Sequence, residues 1–191
     1  MASPVATRFT FKIEGFEGEI RVGSFSGHEA VSELFSFAIE LAVADEAMDF
    51  SAIVGAAATL SLHNADTRRN ITGIISRLEQ RGSSTWHTSY SVELVPAVWL
   101  LTQRYDCRIF QEKTVPDIIK DVFDKADLGD AIKINVRGSF PQRTYCVQYR
   151  ETDWNFVSRL MEEEGIYYYF ETAESKTTMI IANSQQNHLD I

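Results

Sequence analysis

Two groups of side chains in this 191-residue sequence have types and spacings that invite chemistry. The first is a run of carboxylates, Glu162, Glu163 and Glu164, followed by Gly165 and then by Tyr167, Tyr168 and Tyr169. Acidic pairs beside aromatic rings are the equipment of sugar-cleaving enzymes, which need two carboxylates facing each other across about 5–10 Å. Consecutive residues of a helix diverge by roughly 100° each, so these three cannot form such a pair by themselves. They read as a solvated or partner-facing acidic turn, and the tyrosines read as strand packing rather than a sugar platform. The alternative is a carbohydrate-binding or carbohydrate-cleaving β-domain built on Tyr167, Tyr169 and the acidic turn.

The second group is dispersed. His63 and His87 sit on or beside strands without a placed carboxylate, which is a weak basis for a metal. "HEAVS" begins like a zinc-protease helix, but Ser32 stands where the second histidine belongs. "GSFSG" has Phe25 at the position where a nucleophile elbow needs serine, and neither GxGxxG nor a Walker motif occurs. Cys107 and Cys146 lack CxxC spacing and read as buried free thiols rather than a disulfide or zinc pair. The "NIT" at Asn70 is a sequon by letters alone. The sequence therefore points to no catalytic residue, no metal and no cofactor.

The acidic turn must be held by a helix and a strand. Thr152 or Asp153 can cap a helix that buries Trp154, Val157, Leu160 and Met161, with Phe156 widening the stripe. Gly165 can end it in the left-handed conformation, after which Ile166, Tyr168 and Phe170 face inward along a strand. Negative charge on the last turn opposes the helix dipole by roughly 0.3–1 kcal/mol per exposed group, so a compensating cation is needed, and Arg150 and Arg159 are the candidates. A second helix starts at a capping box of Thr114 and Asp117 with Pro116 in the first turn. It carries an apolar stripe through Val115, Ile118, Ile119, Val122, Phe123 and Ala126, with Gly129 as its stop. "AIKINV" and "TYCVQY" read as short strands.

Before this region, strand follows strand. Phe9, Phe11 and Ile13 alternate with polar neighbours, as do Phe35, Phe37, Ile39, Leu41 and Val43. "MDFSAIVG" reads as about one helical turn capped by Asp49 and closed by Gly55. "HNADTRRN" reads as a turn through Asn64, Asp66 and Asn70. "NITGIISRLEQRG" and "TWHTSYSVELVPAVWLL" read as two long strands joined at 82–84, with Thr88, Tyr90, Val92 and Leu94 on one face and Pro96 ending regular pairing. The fold expected is mainly β with an α+β part. An antiparallel β-barrel-like domain, 1–105, with a filled interior precedes a smaller α/β domain, 106–191, with two amphipathic helices.

Composition bounds the partners. A chain with 45% hydrophobic and 12% aromatic residues builds a core, and a net charge of −9 argues against nucleic acid or an anionic membrane surface as partner. The start lacks the apolar core of a signal peptide. The longest uncharged run, 50–65, is short of the roughly 20 residues a spanning helix needs, so a soluble cytosolic product is expected.

Two long ordered stretches, "VELVPAVWLLTQRYDCRIFQEKTVPDIIKDVF" and "YRETDWNFVSRLMEEEGIYYYF", resemble the hub region of VgrG, the spike protein family of bacterial type VI secretion, and the related late-control hub proteins of contractile phage tails. "RFTFKIEGFEGEIRVGSFSGHEAVSELFSFAIEL" is similar to that family's opening strands, so the resemblance extends over nearly the whole chain. It implies a structural hub that is trimeric in the full protein, sits on a hexameric tail-tube protein and carries a membrane-puncturing needle. Effectors or a tip protein attach through later parts. It also implies assembly in the bacterial cytoplasm and delivery by the machine without a signal peptide. No catalytic residues carry over. Against that family's plan, the sequence to Ile191 holds one barrel-like region and the following α/β region, without the second barrel or the needle. Three copies of this segment would gather a charge of about −27, so by itself it is expected to be a poor trimer.

Overall fold

The computed structural model describes residues 9–44, 47–63, 67–173 and 176–184. In chain order the strands are β1 (Phe9–Ile13), β2 (Ile20–His28), β3 (Ser36–Val43), β4 (Ala57–His63), β5 (Arg68–Ser83), β6 (Thr88–Val95), β7 (Tyr105–Phe110), β8 (Ile132–Asn135), β9 (Cys146–Thr152), β10 (Tyr167–Ala173) and β11 (Lys176–Ala182). The helices are α1 (Phe50–Ile53), α2 (Val115–Asp124) and α3 (Asp153–Glu163), with 3-10 turns at Ala97–Gln103 and Gly129–Ala131.

Two compact units divide the chain. One takes the described residues of 1–29, 34–96 and 172–177, and the other those of 30–33, 97–171 and 178–191. This division and the expected line at 105/106 differ in the segment 97–105 and in the two short excursions. Pro96 lacks the N–H that would continue β6, so regular pairing ends there as expected, and the chain turns into a 3-10 helix. That turn buries Val98 and Leu101 and packs against α3.

The first unit is a six-stranded sheet of order β1-β4-β5-β6-β3-β2, antiparallel at every pairing. Alternation decides its inner face: Phe11, Ile13, Phe37, Ile39, Leu41, Val43, Leu60, Ile71, Ile75, Tyr90, Val92 and Leu94 are all buried. The sheet curls as a half-barrel. β1 and β2 stand at opposite ends of the sheet order, and the rings of Phe9 and Phe25 meet edge-on at 5.1 Å. Gly73 on β5 is held to glycine by the backbone, because a Cβ there would stand 2.1 Å from the Val95 carbonyl oxygen. Asn70 lies in β5, not in the turn assigned to it, and its side chain accepts from Ser61 Oγ at 2.8 Å, so pairing with β4 outweighs its turn propensity. Asn64 and Asp66 lie outside the described residues.

In the second unit β7 and β9 form a two-stranded antiparallel ribbon, and β8 pairs in parallel with β11, which also neighbours β10. Thr114 caps α2: its Oγ1 accepts from Asp117 N, and Asp117 Oδ2 accepts from Thr114 N, both at 3.3 Å. Pro116 sits in the first turn, and Val115, Ile118, Ile119, Val122 and Phe123 are buried. The helix ends earlier than the Gly129 stop expected. Its cap is Lys125, and the left-handed residue is Asp127 at φ 58°. Gly129 instead opens the following 3-10 turn, close against Asp124.

Candidate assembly surface

The site grows from α3. Thr152 Oγ1 accepts from Asn155 N at 3.0 Å and fixes the helix start, and Phe156, Val157, Leu160 and Met161 form its buried stripe. Trp154 is half-buried rather than part of that core, because it lies at the edge of the stripe and meets Tyr168 edge-to-face at 5.5 Å. Gly165, at φ 66°, ends the helix, and Ile166 N donates back to Met161 O at 2.8 Å. Of the strand residues that follow, Ile166 and Tyr168 are buried and Tyr167, Tyr169 and Phe170 half-buried.

The acidic turn is divided by a cation that sequence reasoning missed. Arg143, in the loop between β8 and β9, donates from Nη1 to Glu163 Oε2 at 2.7 Å and from Nη2 to Glu164 Oε1 at 2.8 Å. Its pKa is raised, first by the hydrogen bond to Glu164, so the guanidinium stays charged at every accessible pH. Arg143 N also donates to Lys113 O at 2.9 Å. One arginine therefore joins the residue before the Thr114 cap to the end of α3, uniting two motifs about fifty residues apart in the chain. Of the cations first assigned to the turn, Arg159 reaches it only in part and Arg150 is placed elsewhere. Arg159 spends its main contacts on Glu151 at 2.8 Å, with Glu163 at 3.6 Å as a secondary partner. Arg150 lies over the Tyr149 ring at 5.2 Å. Glu162 is exposed and forms no ion pair among the described residues.

The other end of α3 is anchored by buried charge. Asp153 is fully buried and pairs with Arg108 of β7, whose side chain is 8% exposed. Gln148 Nε2 donates to Asp153 Oδ1 at 2.8 Å, and Arg104 Nε lies 3.3 Å from Oδ2. Arg108, Phe110, Cys146 and Gln148 occupy the inner face of the ribbon.

Alternation then turns Tyr105, Cys107 and Ile109 outward on β7, with Tyr149 opposite Cys107. Tyr105 is 74%, Ile109 60% and Tyr149 64% exposed, and Tyr145 before β9 is 56% exposed. Cys107 is exposed, contrary to the buried thiol expected, while Cys146 is buried. A bulge places Arg150 at φ 50°, left-handed and unfavourable for a side chain of this size, and it sits beside this face. Among the described residues no group of three or more His, Cys, Asp or Glu is arranged to hold a metal. His63 lies against Thr10 at 3.4 Å and His87 against Ser84 at 3.3 Å.

Fold and surface together define a class: a β-rich structural module that exposes tyrosine-rich and acidic faces. The chain belongs to the phage tail baseplate hub (GPD) family, whose model matches residues 28–191. It is 39% identical over 173 residues to the type VI secretion system spike protein VgrG1c of Pseudomonas aeruginosa, a match covering 88% of this chain and 23% of that protein. It is 38% identical over 173 residues to VgrG1b of the same organism, with the same coverage. Among solved structures, the E. coli c3393 protein superposes with a TM-score of 0.87 at 26% identity over 95% of this chain and 51% of that one. That protein is described as a component of the type VI secretion system with structural similarity to T4 bacteriophage tail proteins gp27 and gp5. The chain spans about a quarter of the length of the spike proteins it matches.

Proposed function

We propose that this chain is the hub module of a type VI secretion tail spike, with no catalytic role of its own. In the complete protein it links a hexameric tail-tube protein to a trimeric puncturing needle, while effectors or a tip protein bind elsewhere along the spike. The machine is assembled in the bacterial cytoplasm and carries the module out of the cell. The single observation that carries the docking role is the outer face of the β7–β9 ribbon. Tyr105, Ile109 and Tyr149 expose large apolar side chains next to one another, a grouping that in water is disfavoured unless a neighbour covers it. The acidic turn at 162–164 is read as a second, partner-facing surface.

The test uses the full-length spike protein. Ile109→Asp with Tyr149→Asp places two charges on the ribbon face without touching the core beneath it. Light scattering is expected to show the trimer dissociating at least about tenfold more readily, with tube-protein release into the medium lost. A variant that stays trimeric and secretes normally would remove this face from the assembly.

A further inference from the structure

A separate pocket of about 260 Å³ opens beside α3. Its lining includes Ser32, Trp154, Asn155, Ser158, Glu162 and Tyr168. The half-buried Trp154 ring is held edge-on by Tyr168, 5.5 Å away at an interplanar angle of 84°. An indole in a pocket wall can offer the negative face of its π-system to a cation. Glu162 supplies a full negative charge at the same opening. Arg143 is committed to Glu163 and Glu164, so Glu162 keeps its charge for a visitor. The Tyr168 phenol is pushed above its usual range, first by burial and then by Glu33 and Glu162. Asn155 and Ser158 also line it and bring side-chain oxygens able to accept a hydrogen bond. Ser32 N donates to Tyr168 O at 2.8 Å and holds the segment before β3 at the rim.

An aromatic ring, one carboxylate and further side-chain acceptors in a cavity this small match a planar, multiply donating cation better than a point charge or an apolar chain. We propose that this pocket receives an arginine side chain presented by a partner protein. The chain's own net charge of −9 favours approach of a basic partner surface. The inference rests on the reading of the acidic turn as partner-facing and deepens it, while its test needs no other part of the spike.

The test is a titration of the isotopically labelled chain with Nα-acetylarginine amide, following the Trp154 indole N–H by NMR. The matching lysine and norleucine amides are the comparison probes. A saturable shift is expected with a dissociation constant on the order of millimolar, as suits one side chain. Glu162→Gln should weaken it about fivefold or more and Glu163→Gln should leave it unchanged, while added salt should weaken it. The same spectra report whether each variant is folded. The proposal is overturned if no saturable shift occurs, if the norleucine or lysine probe binds as tightly, or if Glu163→Gln matters as much as Glu162→Gln. None of these outcomes bears on the spike assembly assay, and failure of that assay leaves this titration unaffected.

Discussion

Asp153→Asn removes one charge and almost no volume, and so isolates the worth of the buried ion pair under α3. In the native protein Asp153 is fully buried and Arg108 is 8% exposed, so neither is rescued by water. Breaking a buried pair by removing one partner costs about 3–5 kcal/mol. Here the low end applies, because Arg108 keeps Asp106 at 2.9 Å and Gln148 Oε1 at 2.9 Å. Loss of a negative charge in the first turn of α3 adds about 0.5 kcal/mol. The expected cost is thus about 3–4 kcal/mol, or a drop in Tm of roughly 6–16 °C for a protein of this size. Arg108→Met should cost about as much, since it strands Asp153 with only Arg104 and Gln148. The double variant should lose far less than the sum, with a coupling energy above about 1.5 kcal/mol. Urea melts at neutral pH, read by circular dichroism and tryptophan fluorescence, measure all three, and two probes are needed because the units need not unfold together. Single variants within about 0.5 kcal/mol of the parent, or strictly additive losses, would refute the claim that this pair holds the helix to the ribbon.

Two further expectations use independent features. Gly73→Ala must push a methyl group into the Val95 carbonyl and should cost more than about 2 kcal/mol, whereas Gly165→Ala has open space and only an unfavourable φ, worth about 1 kcal/mol; melts in the reverse order would contradict both readings. The Tyr168 pKa is raised in the folded state, so its contribution to stability is complete below its ordinary value near 10 and is lost as the pH climbs through and beyond it; an ultraviolet titration should show Tyr168 ionising last, and its ionisation in the normal range with the fold intact would contradict the burial that raises it.

Where the physics is local, the sequence is legible. The Thr114 and Asp117 cap, the stripe from Val115 to Phe123, the Gly165 stop and the alternation in β3 and β6 each involve residues a few positions apart, where periodicity and side-chain reach decide the outcome. β7 was not legible. "YDCRIF" mixes charge with apolar side chains, and its strand state depends on pairing with Cys146–Thr152, some forty residues on. The burial of Asp153 was hidden for the same reason: a carboxylate at a helix start looks like an exposed cap until Arg108, Gln148 and Arg104 are brought around it.

By itself, then, the sequence determined the β-rich class, the two amphipathic helices, the acidic turn and the family resemblance, because these rest on short-range order and on long runs of matching residues. Only the tertiary structure decided what the acidic turn does. The guanidinium of Arg143 neutralises Glu163 and Glu164 from a loop about twenty residues upstream, leaving Glu162 beside Trp154 and Tyr168. It also decided that Tyr105, Ile109 and Tyr149 share one outer face, since register between two strands fixes which side chains meet, and register is a property of the pair and not of either strand.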